Sequence, residues 1–263
     1  MGVRKVYRDD RMKKCIAIIP ARYESTRFPG KPLAPILGKT LLQRTYENAL
    51  RCKVLQEIVV ATDDERIFAH VRGFGGNVIM TSVSCETGTD RLAEVYANHT
   101  ALHADIIINL QGDEPCVSPE TIEKLVNLLS LDPQASMATA AVILNSAEEA
   151  LSPHIVKCTI DQNQNALYFS RSLIPANKTG RFCPQSRYYK HLGIYGYRSD
   201  FLLEYARLPK SPLQISEDLE QLKALEYGYR IKVAIVNDNS IGVDVPEDIQ
   251  KIEKLLCALN TSL

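Results

Sequence analysis

Three cations fall within ten positions, Arg22, Arg27 and Lys31, in a stretch that also holds Ser25, Thr26, Gly30 and the prolines Pro20, Pro29 and Pro32. Guanidinium and ammonium groups on one short bend, with backbone N–H groups between them, can converge on a polyphosphate. Solvation is the ordinary fate of a loop cation, but here prolines and a glycine brace the bend. A second chemical feature is Gln111-Gly112-Asp113-Glu114-Pro115. A carboxylate beside a glycine that permits close approach suits a magnesium ligand, because that hard cation takes oxygen donors and is held by one or two carboxylates plus substrate phosphates. Capping of the next turn is the competing use of Asp113 or Glu114. A P-loop is excluded: Gly38-Lys39-Thr40 has the right ending, but Leu33 stands where the pattern needs glycine.

These groups need a frame, and the chain supplies one. The apolar run Ile16-Ala17-Ile18-Ile19 has the length and composition of a strand buried on both faces. Leu41 to Arg51 has helical spacing, Glu57 to Ala61 reads as a strand, and Thr62-Asp63-Asp64 as turn and cap. Glu65 to Arg72 is expected as a helix stopping near Gly73 or Gly75-Gly76, and Asn77 to Thr81 as a strand. Strand, helix, strand, helix, strand is the grammar of a parallel sheet. The polar loop Ser82 to Asp90 opens into a helix expected at Arg91, with Thr87, Gly88 and Thr89 placed to present N–H groups to a ligand or merely to cap. Asp105 to Leu110 is a further strand that runs straight into Asp113, so the acid and the cationic bend share the rim where α/β sheets collect ligands. Ser118-Pro119-Glu120 begins a helix with Ile122, Leu125, Val126 and Leu129 inward.

The later half reads differently. Two strands are expected between Met137 and Asp161, and Ala166 to Phe169 should pair antiparallel across the short turn at Gln162 to Asn165. Ser172 to Tyr189 has no period and is expected as a flexible or dimer-related excursion, while His191 to Arg198 alternates as a strand. A helix is expected from about Ser216 to Tyr227, with Leu219, Leu222 and Leu225 inward and Glu217, Glu220 and Gln221 on a solvated face. Arg230 to Val236 is a strand. The C-terminal helix puts Ile249, Ile252, Leu256 and Leu259 inward, with Asp244 in a capping position near its start. The fold class expected is α/β, a mostly parallel Rossmann-like sheet flanked by helices with a smaller antiparallel region.

At 263 residues, with 45% hydrophobic and 24% charged residues, the chain is an ordinary globular protein able to bury a large core. A net charge of zero excludes bulk attraction to nucleic acid or to a membrane surface, so anionic ligands must meet local clusters. No apolar run approaches the ~20 residues of a spanning helix. Seven cysteines, none spaced C-x-x-C, read as reduced thiols of a cytoplasmic protein, not as zinc ligands or a disulfide frame. Residues 1–14 lack the apolar core of a signal peptide and are expected as a disordered leader, with Met12 an equally good start and 15–263 as a single domain.

The string IIPARYESTRFPGKPL resembles the N-terminal signature of the sugar nucleotidyltransferases, most closely the 3-deoxy-manno-octulosonate (KDO) cytidylyltransferases. QGDEP (Gln111 to Pro115), ALYFSR (Ala166 to Arg171), HLGIYGYR (His191 to Arg198) and GVDVPED (Gly242 to Asp248) are similar to that family's segments in the same order, so the likeness runs over roughly Lys14 to Leu256. The resemblance implies a nucleotide-diphospho-sugar transferase fold and transfer of CMP from CTP to KDO for lipopolysaccharide synthesis. It implies Mg2+ as cofactor and a homodimer. By the same likeness Ala21, Arg22, Ser25, Arg27, Lys31, Arg91 and Gln111 are expected to meet the nucleotide, with Arg22, Arg27 and Lys31 acting in catalysis. Asp244 becomes the second metal carboxylate beside Asp113. Arg171, His191, Tyr195, Glu217 and Gln221 are expected to hold the sugar acid, and Arg171 can grip a carboxylate bidentately where lysine could not. The sequence departs from the family at Glu226 and Ala176, where bulky aromatics are expected. The rival readings are a related transferase acting on another sugar acid, such as sialic acid, and a non-catalytic nucleotide-binding protein.

Overall fold

The computed structural model describes residues 13–25, 27–238 and 241–260, so Thr26, most of the expected leader including Met12, and the side chain of Leu259 lie outside the described residues. In chain order the elements begin with β1 (Cys15–Ala21), β2 (Pro35–Ile36), β3 (Lys39–Thr40), α1 (Leu41–Ala49), β4 (Glu57–Thr62), α2 (Glu65–Gly73) and β5 (Val78–Met80). They continue with α3 (Gly88–Asn98), β6 (Ile106–Asn109), α4 (Pro119–Leu131), β7 (Ala135–Leu144), α5 (Ala147–Leu151), β8 (Lys157–Ile160) and β9 (Ala166–Ser170). The last are β10 (Tyr188–Arg198), α6 (Ser199–Arg207), α7 (Pro212–Glu217), α8 (Gln221–Glu226), β11 (Arg230–Ile235) and α9 (Asp248–Asn260).

The main sheet has nine strands, in the order β11-β7-β10-β6-β1-β4-β5, with β8 and β9 attached beside β10. β1 pairs in parallel with both β4 and β6, β4 with β5, and β7 with β11; β10 runs antiparallel to β6 and β7. Along the main order, therefore, β10 alone opposes the common direction, and the antiparallel β8–β9 pair supplies the smaller region expected. The sheet is buried on both faces because its central strands are apolar without alternation. In β1, Ala17 and Ile19 face a core with Leu42, Tyr46, Ile67, Val71, Ile122 and Leu125 from α1, α2 and α4. Ile16 and Ile18 face the opposite core, built with Leu92, Val95, Phe201, Leu202, Tyr205 and Leu222 from α3, α6 and α8.

Several helix starts carry the expected chemistry. Asp64 caps α2 and Ser118 caps α4, each accepting backbone N–H bonds. Helix α3 begins at Gly88, earlier than expected, because Thr87 and Asp90 form a reciprocal capping box. The expected helix over Ser216 to Tyr227 is broken. Asp218 adopts a left-handed conformation (φ 53°), ending α7, and α8 restarts at Gln221. Glu226, one of the two departures from the family pattern, has a local use: its carboxylate accepts from the Ser211 hydroxyl and from the N–H of Leu213 at 2.9 Å, covering the N-terminus of α7. No helix among the described residues is long and apolar enough to cross a membrane.

Candidate active site

The cationic bend leaves the end of β1. Its base is closed by Gly30 N–H donating to Tyr23 O at 2.9 Å, after which Lys31–Leu33 makes a single 3-10 turn. Gly30 sits at φ 72°, and a Cβ there would lie 3.0 Å from the Tyr23 hydroxyl oxygen, so both backbone angle and space require glycine. The Arg66 guanidinium lies 3.3 Å above the Tyr23 ring centroid and is itself fixed by two bonds to Asp64, at 3.0 and 2.6 Å. Gly30→Ala is expected to destabilise the fold by roughly 1–3 kcal/mol, the usual cost of a strained non-glycine backbone, and to raise KM for the nucleotide. An unchanged melting temperature together with an unchanged KM would show that the bend does not need this closure.

Asp113 is brought to the same rim by β6, which lies beside β1 and continues its pairing through Leu110 N–H to Ile18 O at 3.2 Å. A Cβ on Gly112 would stand 3.2 Å from Pro20 O, so glycine lets the acidic turn sit against the end of β1. Thr45 then holds the turn by donating to Gly112 O at 3.1 Å. The C-terminal segment docks here too, through Val243 N–H to Asp113 O at 3.0 Å. Lys31 completes the junction: its Nζ donates to Asp113 Oδ2 at 2.5 Å and to Val243 O at 2.8 Å. Arg27 reaches Asp244 Oδ1 at 3.1 Å, but both side chains are largely exposed, so that pair contributes little to stability. Asp244 does not cap α9. Asp248, the first residue of α9, accepts from the N–H groups of Asp244 and Val245, which precede the helix, and the Asp244 carboxylate faces the bend at Arg27. Behind Asp113, burial first and then the neighbouring Asp113 and Asp238 carboxylates push Glu114 up to about 7.

The resulting cleft, about 590 Å³, is bordered by Ala21, Arg22, Ser25, Arg27, Lys31, Arg91, Gln111, Asp113 and Asp244, all nine expected nucleotide and metal positions. Arg22 is exposed there. Arg91 is placed differently: its side chain is buried, its guanidinium donates to Asp63 at 2.8 Å and to the Thr81 hydroxyl, and this anchors α3 to the ends of β4 and β5. As a donor set for a metal, the two carboxylates fit a hard cation. No group of three or more His, Cys, Asp or Glu converges among the described residues, so the remaining ligands would be phosphate oxygens and water, the usual pattern for magnesium.

The five expected sugar-acid residues do not border this cleft; they form a connected cluster next to it. Glu217 accepts from the Ser170 hydroxyl at 2.7 Å and from the Arg171 N–H at 3.0 Å. The Arg171 side chain donates to Glu217 O at 2.9 Å and Asp218 O at 3.3 Å, which covers the broken end of α7. His191 packs between Phe169 and Tyr195, at ring distances of 4.9 and 5.5 Å, and Tyr195 donates to Gln221 Oε1 at 3.2 Å. Gln221 is buried and its Nε2 has no acceptor among the described residues. An unmade bond of that kind costs about 1–3 kcal/mol and suits a residue whose partner is a ligand or water. Glu220 joins the two regions. It borders the cleft and accepts from Thr89 at 2.9 Å, and burial raises its pKa. The solvated face expected for Glu220 and Gln221 presupposes one unbroken helix, and the break at Asp218 turns both residues inward.

His191 contacts the Thr139 hydroxyl through Nε2 at 2.9 Å. The same hydroxyl also lies within hydrogen-bond distance of two carbonyl oxygens, Ile194 O at 2.8 Å and Leu192 O at 3.2 Å. Burial pushes the His191 pKa down to about 3. An unfolded histidine takes up its proton near 6.5, so between about 6.5 and 3 the native state binds fewer protons, and stability falls as pH drops through that interval. Melting temperatures at pH 7.5 and 5 are expected to converge in His191→Gln relative to wild type. Equal slopes in the two proteins would contradict the buried neutral ring.

A sheet rim that gathers cations and two carboxylates beside a polar, partly aromatic cluster is the arrangement of a nucleotidyltransferase. The cytidylyltransferase family model matches residues 16–233, and the chain belongs to that family. Among its relatives, a 3-deoxy-manno-octulosonate cytidylyltransferase of Protochlamydia amoebophila is 61% identical over 94% of this chain and 96% of its own length. A protein of the same name from Chlamydia trachomatis serovar A is 50% identical, again over 94% and 96%. The solved structure of a CMP:2-keto-3-deoxy-manno-octonic acid synthetase complexed with CTP superposes with a TM-score of 0.86 at 43% identity, covering 93% of this chain and 99% of that one.

Proposed function

We propose that the chain transfers CMP from CTP to the anomeric hydroxyl of 3-deoxy-D-manno-octulosonate, releasing pyrophosphate. The observation that carries this reading is the junction of Lys31, Asp113 and Val243, which seats the cationic bend and the two carboxylates on one cleft. The sugar hydroxyl oxygen forms a bond to the α-phosphorus, the bond from that phosphorus to the bridging oxygen breaks, and the hydroxyl proton passes to solvent. Such a transfer needs positioning and charge neutralisation more than covalent chemistry. Arg22, Arg27 and Lys31 hold the triphosphate and stabilise the departing pyrophosphate; Ser25, the backbone at Ala21 and Gln111 complete the nucleotide site. Arg91 supports it from behind, through Asp63.

Asp113 and Asp244 would hold Mg2+. Bound there, the metal supplies charge neutralisation at the α-phosphate and lowers the pKa of the attacking hydroxyl. Arg171 grips the sugar acid's carboxylate, and His191, Tyr195, Glu217 and Gln221 orient its hydroxyls, with Glu220 where the two ligands meet. Glu217 and Arg171 are already bonded to each other, so sugar-acid binding exchanges part of that network. The assembly implied is a cytoplasmic homodimer, for which light scattering at twice the chain mass is the check.

Pyrophosphate release with CTP and Mg2+ tests the reading. Release is expected on addition of KDO and not of sialic acid. Release with sialic acid alone would replace the sugar acid, and release with neither would leave a nucleotide-binding protein.

A further inference from the structure

We propose that Lys157 is a positioning residue for the sugar acid, its ammonium fixing both the backbone from which the Arg171 side chain springs and the loop on which that side chain rests. This rests on the reading that Arg171 grips the substrate carboxylate.

Lys157 is fully buried. It opens β8, pairs with Ser170 of β9, and directs Nζ at three carbonyl oxygens: Ser152 at 2.8 Å, Ile155 at 2.7 Å and Arg171 at 2.5 Å. An ammonium has three N–H donors, and here each has one acceptor. The acceptors belong to two separate segments. Arg171 follows directly on β9, where the chain leaves the sheet, and its Nη1 donates at 3.4 Å to Pro153 O, within the loop whose flanking carbonyls Lys157 holds. On the other side, the Arg171 N–H and Nε are fixed by Glu217. The guanidinium is thereby held from both sides while part of it stays open to solvent, as a carboxylate ligand requires.

Burying an ammonium without a bonded carboxylate costs several kcal/mol, and an apolar side chain of the same length would fill the space without that cost. No carboxylate bonds to Lys157 among the described residues; Glu217 acts on it only through its field and opposes the lowering of its pKa by burial. The charge therefore serves to tie three carbonyls at one point, which no apolar residue can do, and it adds positive potential beneath a site for an anion.

The test is steady-state kinetics of Lys157→Met with each substrate varied in turn. KM for the sugar acid is expected to rise about 10-fold or more, with KM for CTP within about 2-fold of wild type. Lys157→Gln, which retains N–H donors, is expected to fall between Met and wild type. Because both residues act on one contact, Lys157→Met should add little to the KM of Arg171→Ala. Equal increases in both KM values, no increase in either, or failure of both Lys157 variants to fold would make Lys157 a stability residue and overturn the inference. A raised sugar-acid KM in Arg171→Ala with a normal one in Lys157→Met overturns the inference alone. An unchanged KM in Arg171→Ala removes the role of Arg171, and the inference falls with it.

Discussion

Lys31→Ala is expected to lower turnover on the order of 10²-fold or more, equivalent to ~2.7 kcal/mol, the loss that follows removal of one preorganised transition-state donor. The expectation follows from where the ammonium is held. Its Nζ bonds Asp113 and Val243 O together, so the cation is fixed at the point where the bend, the acidic turn and the C-terminal segment meet. Its side chain is the more buried partner of the Lys31–Asp113 pair, and a donor fixed before the substrate arrives costs no reorganisation during reaction. Arg27, by contrast, is largely exposed, and Arg27→Ala should have the smaller effect on turnover. Turnover of Lys31→Ala within a factor of two of wild type would remove this residue from the chemistry.

Asp113→Ala and Asp244→Ala are each expected to abolish magnesium-dependent activity while leaving the fold intact. The two should differ in secondary effect. Asp113 supports the Lys31 ammonium and its backbone receives Val243 N–H, so its side-chain loss leaves Lys31 bonded to one carbonyl and lowers the melting temperature. Asp244 is mostly exposed and, among the described residues, its one ion pair is the exposed contact with Arg27, so the melting temperature should hardly move. Activity against magnesium concentration and thermal unfolding of both variants check the pair. Retained activity with a normal magnesium optimum in either one would refute its assignment as a ligand.

The parts of this architecture that were legible in the sequence are those set by local pattern. Ile16 to Ile19 and Ile106 to Ile108 are uninterrupted apolar runs, and they form adjacent parallel strands whose ends carry the bend and Asp113. Glycine next to Asp113 signalled a close approach, and Pro20 O occupies that space. What was not legible depends on contacts between distant segments. Asp218 turns left-handed while Arg171, far away in sequence, covers the carbonyls exposed there, and the break moves Glu220 to the cleft. Nothing in Leu219, Leu222 and Leu225 reports that break, because their spacing suits a continuous helix equally well. Arg91 is a similar case: its partner Asp63 read as part of a turn, and only the neighbouring ends of β4 and β5 show why that acid faces α3.

The central claim is that the bend from Arg22 to Lys31 and the carboxylates of Asp113 and Asp244, which meet at one rim, together hold one metal-bound triphosphate. A crystal structure with CTP and Mg2+ tests it most directly. The account predicts the triphosphate between Lys31 and Arg22, with the metal bonded to Asp113 and Asp244. A nucleotide whose phosphates lie away from the bend, or a metal that neither carboxylate touches, would contradict it.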